Sequence, residues 1–484
     1  MTSCHDPEGT RLPIKMDSTS NGEVAPKALD EAATHANETA FNLASKAAKR
    51  LGQSRRQFLT SMTGAAATLI GMNQGFAAAG KRGGAYDIDA DAAYEPQLAE
   101  ASLAGKEFIF DVQLHHVNPK GPWRGNFDML EQVLGQWPQG ACGLEDKVNC
   151  YSGEHLVKEV FFDSDTDLAV LSMGPAMPDQ VPLTINEAAE TQALVKERTG
   201  EHRLLLHSQV NPNIPGHLDA MDRVAEEYSP AAWKSYTQFG PGGGFWLDDP
   251  EGIAMIEKAR ALGIKRVCVH KGLPLGLMGH EYSTCADVGR VAKMFPDVTF
   301  IIYHSGFEPD RAEGPYQASV DYGINTLINS LKDNDIASLG NVYAELGSTW
   351  RFVMRDPDQS AHVIGKLLKY VGEDLLLWGT DCIWYGSPQD QIQAFRTFQI
   401  STEFQEKYGY PEITPQIRAK VFGLNAAIAY AIDPEDIRKK TAKDALAKER
   451  SDYLQAPDPS FHTYGPKTRR EFLAFKKLEE AGLV

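Results

Sequence analysis

The sequence predicts an α/β chain whose main body closes into a (β/α)8 barrel. Three observations point there: strand-like apolar runs alternate with helix-like segments from residue 108 onward, the runs number eight, and no internal repeat interrupts them. Alternation of this kind implies parallel strands joined by helical crossovers, and eight such units close on themselves. The alternative is an open doubly wound sheet. That architecture wants a Gly-rich loop after its first strand, and none is present.

The elements follow in order. Residues 108–116 (FIFDVQLHH) form a first strand, rich enough in Phe, Ile, Val and Leu to be buried on both faces. An irregular insertion, 118–152, carries Trp123 and Trp137. Helix 154–162 and strand 167–173 come next, then helix 186–199 with Asn186 placed to cap it. Strand 203–209, helix 218–228 and a weaker strand 232–238 follow, with Lys234 and Tyr236 on one face of the last. Helix 250–262 leads to strand 264–270, helix 284–295 to strand 298–304, and the long segment 307–339 contains a helix. Strand 342–346, helix 359–371, strand 375–379 and helix 389–400 complete the set.

The ends of the chain differ in composition from this body. Residues 1–53 hold few large apolar side chains and read as a flexible leader. Ser54-Arg55-Arg56-Gln57-Phe58-Leu59-Thr60, a weakly apolar stretch and Ala77-Ala78-Ala79 then have the layout of a twin-arginine signal over 54–79. An Ala-rich helix with a chance arginine pair is the alternative. The signal implies the twin-arginine export machinery as a partner and a periplasmic or otherwise exported protein. Residues 80–106 read as a linker, 107–433 as the barrel, and 434–484 as a charged helical extension lying on the barrel or on a second copy in a homodimer.

Composition narrows the partners. A net charge of −17 over 484 residues argues against nucleic acid and anionic membrane surfaces, which need a concentrated cationic face. No apolar run reaches the length of a membrane span. Cys142 and Cys150 are close enough in sequence to pair in an oxidising compartment, whereas Cys268, Cys285 and Cys382 read as buried thiols.

Four strands end in a polar side chain that can hold a metal or move a proton, and in a barrel such ends gather on one face. On the first strand Gln113 and His115 share a side and can grip one ion. His270, His304 and Asp381 add two imidazoles and a hard carboxylate, a mixture that suits Zn2+ or a similar divalent ion. Any one of these histidines alone would be read as a core residue satisfied by backbone. Glu345 is a further inward candidate. Lys271, beside His270, is a candidate partner for a substrate acid, against a salt bridge at the core mouth. Trp123 and Trp246 fall on loops of the same face and are candidates for covering an apolar or aromatic substrate, against plain loop anchors.

The order of these pieces resembles the amidohydrolase-related (amidohydrolase 2) family, a metal-dependent TIM-barrel family that includes aminocarboxymuconate semialdehyde decarboxylase. The resemblance is carried by the first-strand motif, VHKG at 269–272, YHSG at 303–306, GTD at 379–381 and KVFGLNAA at 420–427. It implies His115, His270 and Asp381 as metal ligands, Asp381 also as a base, and His304 as a catalytic or second metal-facing residue. The family opens with His-x-His where this chain has Gln113-Leu114-His115, which implies a weaker or harder ion, or none. The expectation is a hydrolase of an amide, ester or lactone bond in a small molecule, using metal-activated water. A non-oxidative decarboxylase of an aromatic or unsaturated acid and a catalytically inactive binding barrel are the alternatives.

Overall fold

The computed structural model describes residues 11–121, 142, 147–177, 181–275 and 280–480. A short strand, β1 (Gly84–Tyr86), pairs antiparallel with the last one, β10 (Phe398–Ile400). Between them lie eight parallel strands in chain order: β2 (Phe110–Leu114), β3 (Leu168–Leu171), β4 (Leu204–Gln209), β5 (Ala232–Tyr236), β6 (Arg266–His270), β7 (Thr299–Tyr303), β8 (Val342–Glu345) and β9 (Leu376–Leu377). Each lies inside a run the sequence marks as a strand. The ring closes where the chain after β9 runs beside β2, through Val112 N to Trp378 O at 3.1 Å, Asp381 N to Gln113 O at 3.0 Å and His115 N to Cys382 O at 2.6 Å.

The helices fall largely where the apolar periodicity puts them, the one expected over 284–295 spanning Val288–Met294, and two further local differences have a clear cause. Helix Ile185–Thr199 is capped by Thr184, whose hydroxyl accepts from Glu187 N while the Glu187 carboxylate accepts from Thr184 N. Asn186, expected as the cap, accepts from the Tyr228 hydroxyl instead. The reciprocal pair satisfies two otherwise orphaned backbone N–H groups, which a single Asn does not. The last predicted helix stops at Thr397, because Phe398-Gln399-Ile400 suits the strand that pairs with β1.

The N-terminal part departs most from expectation. Residues 11–29 form an arm lying on the barrel, followed by α1 (Glu31–Arg50), α2 (Arg55–Leu59) and α3 (Met62–Ala78). Ala33, Ala36, Ala40, Ala44 and Ala47 of α1 are buried, as are Gly64, Gly71 and Gly75 of α3. A Cβ on Gly71 would stand 2.4 Å from Ala40 Cα, and one on Gly75 2.4 Å from Ala36 Cα. Small residues thus let two helix backbones touch. Composition hid this, because the leader lacks the large side chains that usually signal burial. Arg55 and Arg56 open α2, and Phe58 and Leu59 behind them are buried. The expected linker is also ordered, containing β1 and a helix at Pro96–Leu103. No described helix is long and apolar enough to cross a membrane.

The C-terminal extension lies on its own barrel. Helices Pro434–Thr441 and Ala445–Tyr453 are tied down by Arg203 Nε to Asp444 Oδ2 at 2.7 Å and Arg450 Nη2 to Asp165 Oδ1 at 3.1 Å. Beyond them the buried Tyr464 hydroxyl donates to Glu159 Oε1 at 2.8 Å. Cys142 and Cys150 form a disulfide, and Cys268, Cys285 and Cys382 are buried free thiols.

The seam between α1 and α3 gives a test. Gly71→Leu adds a branched side chain where one carbon already collides with backbone, and overpacking of this kind costs about 1–3 kcal/mol. Hydrogen exchange should rise across α1 and α3 and stay at the wild-type level in the barrel strands. Unchanged protection of α1 would contradict the packing.

Candidate metal centre

The polar strand ends meet at the carboxyl-terminal mouth as two adjoining groups. The first comes from β2 and the turn after β9. Gln113 Nε2 donates to Asp381 Oδ1 at 3.0 Å and lies 3.3 Å from His115 Nε2, which is itself 3.2 Å from Asp381 Oδ1. The other oxygen of Asp381 accepts from Ser348 Oγ, whose hydroxyl also lies 2.7 Å from Tyr385 OH. The second group comes from β6 and β7. His270 Nδ1 and His304 Nε2 face one another at 3.2 Å.

Backbone carbonyls fix which nitrogens face inward. His270 Nε2 lies 3.1 Å from Leu273 O and His304 Nδ1 2.7 Å from Gly347 O, so each ring places its N–H there. The two nitrogens that face each other are therefore both lone-pair acceptors. With both side chains wholly buried, that juxtaposition calls for a cation.

Local backbone aims these side chains. His304, Ser305, Ser348 and Asp381 all have positive φ, between 54° and 64°, a conformation that non-glycine residues adopt at a cost. Buried Glu345 on β8 supports the turns, accepting from His304 N at 3.1 Å and Gly347 N at 2.6 Å. Thr349 Oγ1 donates to His304 O at 3.0 Å. Glycine is required beside this carboxyl, since a Cβ on Gly379 would lie 1.6 Å from Glu345 Oε1.

Burial sets the charges. It pushes the His115 imidazole down to about 3, helped by the Lys234 ammonium, and holds His270 and His304 well below the ordinary histidine range. All three are neutral, the form that binds a metal. Burial raises Asp381 to about 6, against the hydrogen bonds from Ser348 and Asn21, and raises Glu345 to about 8. Lys234, wholly buried on β5, is lowered to about 8, and its Nζ lies 3.3 Å from the centre of the Tyr303 ring.

The donor set fits a divalent ion. Neutral imidazoles at His270 and His304 have ligand spacing with the Glu23 carboxylate, and His115 and Asp381 form a neighbouring pair 3.2 Å apart. Gln113 fits as well: its buried Oε1 has no hydrogen-bond partner, and a half-turn of the amide would exchange that oxygen with Nε2 beside His115 and Asp381.

The other residues marked by sequence are placed differently. Lys271 does not reach the centre; its Nζ pairs with Asp287 Oδ2 at 2.9 Å and donates to Tyr282 O at 3.0 Å, with both charged side chains fully buried. The strand's alternation turns it away from the side that His270 faces. Trp246 packs on Tyr282 with ring centres 5.3 Å apart and lies over the Lys271 ammonium, an anchor for its loop. Glu345 supports His304 from below. Trp123 lies outside the described residues.

Sequence reasoning missed Ser348 and Tyr385, which follow strands without any motif, and two residues of the arm. Asn21 Nδ2 donates to Asp381 Oδ2 at 2.9 Å, and Glu23 Oε1 lies 3.7 Å from His270 Nδ1. Glu23, His270 and His304 present ligand atoms within 4.8 Å of one another. The only available signal was the placement of a carboxylate and a carboxamide around Gly22.

Comparisons with known proteins bear on the barrel from before β4 onward. A model of the amidohydrolase family, Amidohydro_2, matches residues 181–432, from before β4 to beyond β9. No curated protein sequence matches the chain. Among solved structures, an uncharacterised TIM-barrel protein from Bordetella bronchiseptica aligns at 14% identity and a TM-score of 0.42, covering 69% of this chain and 99% of that one. A 2,6-dihydroxybenzoate decarboxylase from Rhizobium aligns at 12% and 0.37, covering 67% and 99%. An amidohydrolase from Mycobacterium avium subsp. paratuberculosis K-10 aligns at 13% and 0.37, covering 68% and 99%. With its family model spanning more than half of the 484 residues, the chain belongs to the amidohydrolase family.

Proposed function

We propose that this protein is a metal-dependent hydrolase of an amide, ester or lactone bond in a small molecule, with a zinc-type ion at the strand ends. The observation that carries this reading is the buried pair of lone-pair nitrogens, His270 Nδ1 and His304 Nε2, at 3.2 Å. His115 and Asp381 adjoin them as further ligands, and Gln113 through its amide oxygen. A divalent ion there would supply Lewis acidity, bringing water towards ionisation near neutral pH and polarising a substrate carbonyl.

The chain's own groups handle the rest. Asp381, raised to about 6, is ionised at neutral pH yet basic enough to take a proton from the attacking water. Ser348, held by Tyr385, fixes one of its oxygens and so orients the other. Glu345 keeps the His304 turn in place. The wholly buried histidines and Lys234 leave little room for bulk water beneath the centre.

A decarboxylase is the second reading, favoured by one observation: a carboxylate, that of Glu23, already stands 3.7 Å from His270 Nδ1. A substrate carboxylate held there would place its C–C bond beside the same proton-handling groups. An inactive binding barrel is the third, motivated by Gln113.

Metal analysis of the purified full chain followed by two assays separates these. The proposal expects about one equivalent of divalent ion per chain, hydrolysis of a lactone or amide panel, and no CO2 from carboxylated aromatics. CO2 release without hydrolysis would replace it with the second reading, and absence of metal after zinc loading would favour the third. Asp381→Asn should lower turnover by about 10²–10⁴-fold with the fold intact by circular dichroism. Turnover within a few-fold of wild type would remove Asp381 from the base role.

Metal affinity carries a pH dependence of known sign. Asp381 must lose its proton to ligate, and burial holds that proton up to about 6. Zn2+ affinity of the metal-free chain should therefore rise as pH increases through about 6 and level off above 7. Calorimetry should show up to one proton released from this group below that range and little above it. A flat affinity between pH 5 and 7 would contradict Asp381 as a ligand.

A further inference from the structure

The arm that crosses the barrel mouth ends in a tip of unusual composition for that position. Its flanks are firmly held: Ile14 and Met16 are buried, Lys15 N donates to Asp390 Oδ2 at 3.1 Å, Arg351 Nη2 to Asp17 Oδ1 at 3.1 Å, and Ser20 N to Pro466 O at 3.1 Å, while beyond the tip Lys27 O accepts from Arg355 Nη2 at 3.1 Å. The tip itself, Asn21-Gly22-Glu23, turns through Gly22 at φ 89°, with Glu23 N donating to Asn21 Oδ1 at 3.1 Å. This turn aims two polar side chains at the centre. The Asn21 amide donates to both Glu23 Oε2 and Asp381 Oδ2, and so lies between two carboxylates.

Glu23 meets His270 at 3.7 Å through a nitrogen whose own proton lies on the other side of the ring. An anion cannot bond to that lone pair directly. It can share a cation with it, and the group formed by Glu23, His270 and His304 has the spacing to do so. The carboxylate thus occupies a position that an acidic ligand of this centre would want.

We propose that the arm's tip is a built-in stand-in for substrate: the Glu23 carboxylate holds the place of a carboxylate on a small acidic substrate, and the tip withdraws when that substrate binds. The inference rests on the metal-centre reading above and deepens it by naming the substrate class. Firm flanks with a glycine at the turn allow the tip to move without unfolding the arm. Because the competent state must first displace the tip, apparent affinity for a carboxylate is lowered by the fraction of chains that are closed.

Benzoate is a suitable probe, with benzamide as its uncharged control, on the full chain loaded with Zn2+. Calorimetry should show benzoate binding about 5–10-fold tighter to an Asn21→Ala, Glu23→Ala double variant than to wild type, with benzamide changed by less than about 2-fold. In wild type, benzoate should raise hydrogen exchange at residues 19–24 and leave the barrel strands unchanged. Zn2+ affinity of the double variant should stay within about 3-fold of wild type.

Equal or weaker benzoate binding to the variant, no binding to either protein, or unaltered exchange in the tip would each overturn the proposal. A large loss of Zn2+ affinity would also overturn it, making Glu23 a permanent ligand instead. Absence of turnover on every substrate would sink the hydrolase and decarboxylase readings, and the benzoate result does not depend on it.

Discussion

A single buried carboxylate decides where this barrel closes. Asp111 on β2 accepts from Gln113 N at 3.0 Å and Thr380 N at 3.1 Å, and its second oxygen accepts from the Thr380 hydroxyl. The last strand is only Leu376–Leu377, so the backbone ladder alone offers few bonds to set the register between first and last strands. Burial lifts the Asp111 carboxyl to about 7, and three hydrogen bonds offset that cost. The result places Gln113 and His115 beside Asp381. A one-residue slip would turn both away from the mouth.

From that closure the centre extends by local strain. Four residues at the strand ends hold positive φ, each costing of order 1 kcal/mol, and all are held by buried hydrogen bonds. Glu345 accepts from the backbone of both the His304 turn and its own turn at Gly347, Ser305 Oγ donates to Glu345 O at 2.7 Å, and Ser348 bonds Asp381. Gly347 and Gly379 leave room for the Glu345 and Gln113 side chains. The GTD motif then has a physical reason at each position: glycine for space, threonine to bond Asp111, and aspartate to enter the centre.

The barrel was legible because each strand is a buried apolar run, and such runs carry their own signal. The four polar strand ends were legible for the same reason, as breaks in those runs. Their roles were harder to read. Lys271 looks equivalent to His270 in sequence, but one step along a strand turns it to the other face and to Asp287. His304 reads as a catalytic or second metal-facing residue, and its free nitrogen faces His270, a relation set by a carbonyl at Gly347 in a distant loop. Ser348 and Tyr385 are ordinary loop residues until the fold brings them to Asp381. The N-terminal part was invisible because α1 and α3 pack through small residues and the arm is held largely by polar anchors, for which composition gives no warning.

The centre and the arm share one physical premise, that two neutral imidazoles and a carboxylate gathered out of water require a cation among them. Anomalous diffraction at the zinc absorption edge, from crystals of the full chain grown with Zn2+, tests it most directly. The account predicts one strong peak in contact with His270 Nδ1 and His304 Nε2. A featureless mouth in zinc-saturated crystals, or a peak bound only by surface residues, would contradict it.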